Sequence, residues 1–127
     1  MRVERIDHLV LTVRDIDATV AFYETVLGMH SITFGDNRHA LEFGAHKINL
    51  HPASAPTAPH AGHPLPGSAD LCFVIATPMP EAIAHLQKLD ISIEAGPVQR
   101  NGALGPILSV YFRDPDGNLI EVSNYLE

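Results

Sequence analysis

Residues 6–29 read IDHLVLTVRDIDATVAFYETVLGM. Leu9, Leu11 and Val13 alternate with His8, Val10 and Thr12, the period of two that marks a half-buried strand. Asp15 follows where a helix N-cap belongs. Ile16, Val20, Tyr23 and Leu27 then recur at four-, three- and four-residue steps, one apolar helical stripe that ends before Gly28, a residue suited to a left-handed cap. The same pattern returns at residues 69–74, ADLCFV: a shift of 62 carries Asp70 onto His8, Thr77 onto Asp15 and Leu89 onto Leu27. Near the end, a shift of 72 carries Ile120-Glu121-Val122 onto Ile48-Asn49-Leu50, so the second copy holds about ten extra residues before its last strands. The chain reads as two copies of β-α-β-β-β. That pattern predicts a mixed α+β fold, with two modules forming a curved mixed sheet around a concave pocket and the helices on its outer face.

In the first copy, three short strands are expected at about 29–35, 38–44 and 46–51, broken at Gly35-Asp36-Asn37 and Gly44-Ala45. In the second, a strand over 69–76 leads to a helix capped by Thr77, with Pro78 at its first position and Met79, Ile83 and Leu86 as its buried stripe. A strand is expected to start at 91–94, the Gly/Pro-rich segment 96–106 to hold the extra residues, and a hairpin to close around Asp114-Pro115-Asp116-Gly117-Asn118. Between the copies, Pro52, Pro56, Pro59, Pro64 and Pro66 with Gly62 and Gly67 exclude a regular element. The organisation is therefore one domain over 1–127: module one at 4–52, a proline-rich linker at 53–68, and module two at 69–127. The linker is also placed to lie over a pocket mouth.

Composition narrows the partners. At 127 residues the chain can bury one core, and 46% hydrophobic with 18% charged residues is ordinary for a globular protein. A net charge of −7 argues against nucleic acid or an anionic membrane surface. No apolar run reaches the length of a membrane span, and Met1-Arg2-Val3-Glu4-Arg5 lacks a signal-peptide core. The single cysteine, Cys72, excludes an internal disulfide, suits a reducing cytoplasm and reads as a small buried hydrophobe.

Alternation decides which side chains can meet. If Ile120 and Val122, Ile48 and Leu50, and Leu71 and Phe73 pack under the helices, then Glu121, Asn49, His51, Asp70 and Cys72 turn to the other face, with His8. Pairing Arg113 with Leu119 would set Tyr111 across from Glu121, with Ser109 and Ser123 further out; a two-residue turn at Ala45-His46 would set Glu42 across from Asn49. Nitrogen and oxygen donors on separate strands of a sheet suit a divalent ion that keeps positions open for substrate.

The βαβββ repeat, the opening IDHLVLTVRDIDATVAFYETVLGM and the later YFRDPDGNLIEV resemble the vicinal oxygen chelate superfamily. That group includes glyoxalase I, fosfomycin-resistance proteins, extradiol dioxygenases and bleomycin-binding proteins. INLHP, GSADLCF and VYFRDPDGNLIEVSNY are similar to small glyoxalase-domain proteins described as virulence-associated. The resemblance covers essentially the whole chain. It places the superfamily's metal ligands on His8, Asn49, Asp70 and Glu121; Asp70 stands where histidine is more common, and Asn49 where glyoxalase I has glutamate. His51, one pleat from Asn49, could supply the missing histidine if its strand shifts or bulges.

Three functions follow from the resemblance. The first is a lyase or isomerase like glyoxalase I, using zinc, nickel, manganese or iron and a thiol adduct of a 2-oxoaldehyde. There Glu121 is the catalytic carboxylate, and glutathione or another thiol is the cosubstrate. The substrate-binding candidates are Asn49, Tyr111, Glu42 and Arg100. The second is an extradiol-type dioxygenase, for which His8, His51 and Glu121 would make a 2-His-1-carboxylate set. The third is a non-catalytic binder of a drug or metabolite. The resemblance also implies a homodimer.

Overall fold

The computed structural model describes all 127 residues. They form β1 (His8–Val13), α1 (Ile16–Leu27), β2 (His30–Phe34), β3 (Arg38–Phe43), β4 (His46–Pro52), β5 (Asp70–Val74), α2 (Met79–Lys88), β6 (Ala95–Gly102), β7 (Gly105–Arg113) and β8 (Leu119–Tyr125). The chain divides into two compact units, Met1–Gly67 and Ser68–Glu127, so the proline-rich linker belongs with the first module. Each module is β-α-β-β-β and builds a four-stranded mixed sheet of its own, in the orders β1-β4-β3-β2 and β5-β8-β7-β6. The α+β two-module fold is as the repeat predicts.

In module one, β1 and β4 run parallel while β3 pairs antiparallel with both β4 and β2. Val13, Tyr23, Leu41 and Ile48 are fully buried between the sheet and α1, which packs on β2, β3 and β4. Asp15 caps α1 by accepting the Ala18 N–H at 3.0 Å, and Gly28 ends it at φ 65°, a left-handed turn that costs a residue without a Cβ little. The buried stripe of α1 is Thr19, Tyr23 and Val26; Ile16, Val20 and Leu27 flank it, one step around the helix from the expected line.

Module two repeats the arrangement: β5 runs parallel to β8, and β7 pairs antiparallel with β8 and β6. The registers are equivalent. His8 is level with Lys47 and Asp70 with Leu119, and both pairs obey the shifts of 62 and 72. The turn after β7 is held from inside: Asp114 Oδ1 accepts the N–H of Asp116 and of Asn118, both at 2.9 Å, and Asn118 Oδ1 accepts the Ala69 N–H at 2.9 Å. The DPDGN motif thus ties the β7–β8 hairpin to the start of β5.

Several local expectations are corrected. Pro78, not Thr77, occupies the N-cap of α2, with no side-chain cap, and its buried residues are Met79, Ala82 and Leu86 rather than a line through Ile83. Residues 91–94 are irregular, and 96–106 form most of β6 and the turn into β7 instead of an extra loop. A register shift between Ala95 and Val98 absorbs Gly96 and Pro97, so a Gly/Pro signal marks a bulged edge strand here. The β3–β4 turn falls at Gly44-Ala45, which sets Glu42 across from Lys47, while Asn49 faces Ala40. No helix is long and apolar enough to cross a membrane.

Candidate functional site

The face of the second sheet opposite its apolar core carries a cavity of about 610 Å³, lined by Cys72, Arg100, Gly102, Tyr111, Glu121 and Tyr125 among others. The β-strand period places these residues. Ile120 and Val122 are buried on one face of β8, which turns Glu121 to the other. Arg113 pairs with Leu119, so Tyr111 lies directly across from Glu121, and Cys72 lies level with it on the other side. Arg100 reaches in from β6: its Nε donates to the Tyr111 hydroxyl at 3.1 Å, with the guanidinium 5.6 Å from the ring centre. Burial raises the pKa of the Tyr111 phenol, and the Glu121 carboxylate pushes the same way against the pull of Arg100, so the hydroxyl stays protonated at neutral pH.

Beneath Glu121 lies a buried hydroxyl network. Ser109 Oγ and Ser123 Oγ are 2.6 Å apart, and both residues have no exposed surface. Ser123 donates to Glu121 Oε2 at 3.4 Å, and Cys72 Sγ lies 3.2 Å from Ser123 Oγ. Cys72 is exposed, not the buried hydrophobe its isolation suggests. Although the residue is exposed, partial burial of its sulfur raises the pKa, opposed by the Ser123 hydroxyl bond and reinforced by Glu121 and Asp70, so it is a thiol and not a thiolate at pH 7. Alternation places Cys72 and the two serines on the face of Glu121, as expected from the sequence; what it does not reveal is the hydrogen bonding among them. Arg113 is engaged elsewhere, donating from Nε and Nη2 to both carboxylate oxygens of Glu94 at 2.9 Å.

On module one, the corresponding face carries His8, Val10 and Thr12 of β1 beside Lys47, Asn49 and His51 of β4. His8 Nδ1 lies 2.8 Å from Asp7 Oδ1. An ionised carboxylate can only accept, so Nδ1 carries a hydrogen, and in the neutral ring Nε2 has the free lone pair. That hydrogen bond lowers the Asp7 pKa. His51 is opposite Thr12, four residues along from His8, about 13 Å by strand rise, and the β1–β4 register runs without a bulge. His8 and His51 therefore do not share one ion within this module, which removes the geometric basis of the His8, His51, Glu121 set. Asn49, two residues from the level of His8, is the nearer neighbour.

The donors present are right in kind for a divalent ion: an imidazole nitrogen oriented by a carboxylate, and carboxylates at Asp70 and Glu121. They fall into halves, His8 with Asn49 in one module and Asp70 with Glu121 in the other, each pair offset by two residues in register. No three His, Cys, Asp or Glu side chains are grouped to hold a metal within the chain.

Residues 5–122 match the profile of the Glyoxalase/Bleomycin resistance protein/Dioxygenase superfamily. The chain belongs to this superfamily. It is 56% identical over 126 residues to the virulence protein STM3117 of Salmonella typhimurium, covering 99% of this chain and 88% of that protein. The crystal structure of STM3117 superposes with a TM-score of 0.98, covering 99% of this chain and 100% of the other. A lactoylglutathione lyase from Agrobacterium tumefaciens is similar at 25% identity and a TM-score of 0.75, over 97% of this chain and 95% of the other. The fosfomycin resistance protein FosX of Listeria monocytogenes, solved with Mn(II) and sulfate, shares the fold at 17% identity and a TM-score of 0.70, over 98% and 93% of the two chains.

Proposed function

We propose that the chain is a divalent-metal-dependent lyase or isomerase of the glyoxalase I type, acting on a small oxygen-chelating substrate such as the thiol adduct of a 2-oxoaldehyde. The observation that carries this reading is Glu121 facing a cavity beside a protonated Tyr111 that Arg100 holds. Likeness to a lactoylglutathione lyase at 25% identity supports it. His8, Asp70 and Glu121 would hold the ion, which on binding supplies Lewis-acid polarisation of the substrate's neighbouring oxygens. His51 falls outside this set because the register holds it four residues from His8.

The chain's own residues have separable tasks. Glu121 takes a proton from one substrate carbon and returns it to the adjacent carbon, so substrate and product differ only in where that hydrogen sits. Ser123, backed by Ser109, fixes the carboxylate from beneath. Tyr111 donates its hydroxyl hydrogen to a substrate oxygen, and Arg100 keeps that hydroxyl oriented while adding positive charge where oxyanion character develops. Asn49 cannot take a proton, so the work falls on the one carboxylate and not on an opposed pair. The working form is proposed to be a cytoplasmic homodimer that uses small molecules only.

The test is turnover of the hemithioacetal of methylglyoxal and glutathione by protein loaded in turn with zinc, nickel, manganese and iron. Wild type should convert it with at least one metal, and Glu121→Gln should lose about 10²- to 10⁴-fold in kcat. Absence of turnover with every metal, in protein that retains the metal, would overturn the lyase reading.

A further inference from the structure

Residues 1–7 precede β1 as exposed chain without helix or strand, and no apolar side chain anchors them: Met1, Val3 and Ile6 are all exposed, Ile6 to 66%. Polar contacts to the β3–β4 turn, forty residues away in sequence, hold the segment instead. His46 Nδ1 lies 2.7 Å from the Ile6 carbonyl oxygen, which only accepts, so this nitrogen carries a hydrogen and donates it. Arg5 Nη1 donates to the Ala45 carbonyl at 3.1 Å. The His46 ring is itself steadied against Phe43, with ring centres 5.8 Å apart. Packing adds little at this point, because Asp7 and residues 42–47 line a cavity of about 470 Å³.

Both contacts converge on Asp7. The Ile6 carbonyl belongs to the peptide that joins Ile6 to Asp7, so His46 fixes the planar unit from which the carboxylate hangs. Asp7 Oδ1 is the partner of His8 Nδ1 at 2.8 Å, while its Oδ2 lies 3.9 Å from Arg5 Nη2. An exposed ion pair at that distance contributes little, so His46 carries the larger share. A neutral imidazole can keep its hydrogen on either nitrogen, and the one with a fixed acceptor is favoured. We infer that His46 is a positioning residue for His8: with Arg5 beside it, it holds Asp7 where the carboxylate keeps the His8 hydrogen on Nδ1 and leaves Nε2 available to bind. The step from tautomer to ion rests on the proposed role of His8 as a metal ligand; the tautomer itself does not.

The experiment reads the tautomer in the full chain stripped with EDTA, so no metal enters it. Ring-nitrogen NMR at alkaline pH, where the imidazole is neutral, gives the ratio of the two His8 tautomers. Wild type should hold the hydrogen mainly on Nδ1. His46→Leu, at a half-buried position that accepts an apolar side chain, should lower the ratio of Nδ1–H to Nε2–H by about two- to tenfold, the size of one hydrogen bond. His46→Asn should restore it, because the asparagine amide nitrogen offers a donor at the place of Nδ1. Zinc titrated into the same proteins by calorimetry should bind His46→Leu more weakly by a similar factor and His46→Asn as it binds wild type. A His46→Leu variant with the wild-type tautomer ratio, or a His46→Asn variant no better than His46→Leu, would overturn the inference. A shifted tautomer with zinc affinity unchanged would uphold the positioning and count against His8 as a ligand, so the two readings fail separately.

Discussion

Removing the hydroxyl of Ser123 should cost more than removing that of Ser109, although both are fully buried. Ser123 Oγ donates to Glu121 Oε2 and shares hydrogen bonds with Ser109 Oγ and Cys72 Sγ, whereas the hydrogen-bond partner of Ser109 Oγ is Ser123. In Ser123→Ala, the Ser109 hydroxyl loses the partner 2.6 Å away and remains in the core, a loss of about 1–3 kcal/mol. In Ser109→Ala, Ser123 keeps its bonds to Glu121 and Cys72, and the cost should be about 1 kcal/mol or less. The double variant leaves no stranded hydroxyl and should be no less stable than Ser123→Ala alone, giving a coupling of about 1 kcal/mol. Urea unfolding followed by circular dichroism measures all four proteins. Thermal midpoints should fall in the same order, by roughly 3–6 °C per kcal/mol for a chain of this size. Equal single costs that add in the double variant to within about 0.5 kcal/mol would show that the network does not exist as described.

Three further outcomes can be checked. Cys72 should react with iodoacetamide more slowly than free cysteine at pH 7, because burial raises its pKa, and Glu121→Gln should speed the reaction by removing a charge that opposes the thiolate; a rate unchanged in the variant would contradict that assignment. His51 has its pKa lowered, chiefly by burial, so the unfolded chain takes up a proton near pH 6.5 that the folded chain refuses. Stability should therefore fall as pH drops below about 6.5, and His51→Gln should lose less over that range, as denaturant titrations at several pH values would reveal. Gly96→Ala should be strongly destabilising, since the position has φ 97° and a Cβ would come within 2.3 Å of the Ser109 carbonyl oxygen; a melting temperature equal to wild type would contradict that packing.

The repeat carried most of the fold. Positions separated by 62 and 72 residues turn out equivalent down to strand register, because period-two burial leaves a strand only one way to present Ile48 and Leu50, or Ile120 and Val122, to a helix. Pairing Arg113 with Leu119 across the β7–β8 turn is what sets Tyr111 opposite Glu121. What alternation could not supply was the level of one strand against another. Placing Glu42 beside Lys47 depended on whether the turn used Gly44-Ala45 or Ala45-His46, and the separation of His8 from His51 depended on a parallel register with no turn to fix it. Gly96 and Pro97 misled for a related reason: they usually break strands, yet a bulge at an edge strand accommodates both. Cys72 looked inert because a lone cysteine carries no pattern, while its neighbours Ser109, Ser123 and Glu121 come from other strands.

The central claim is that the protein binds a divalent ion, with His8 and Glu121 among its ligands. Metal analysis by mass spectrometry of protein purified without chelator tests it directly, comparing wild type with His8→Ala and with Glu121→Gln. Wild type should carry a stoichiometric divalent metal, and each substitution, made in a different module, should lower that content sharply. Metal content that neither substitution changes, or a wild type that binds none of the added divalent ions, would contradict the account.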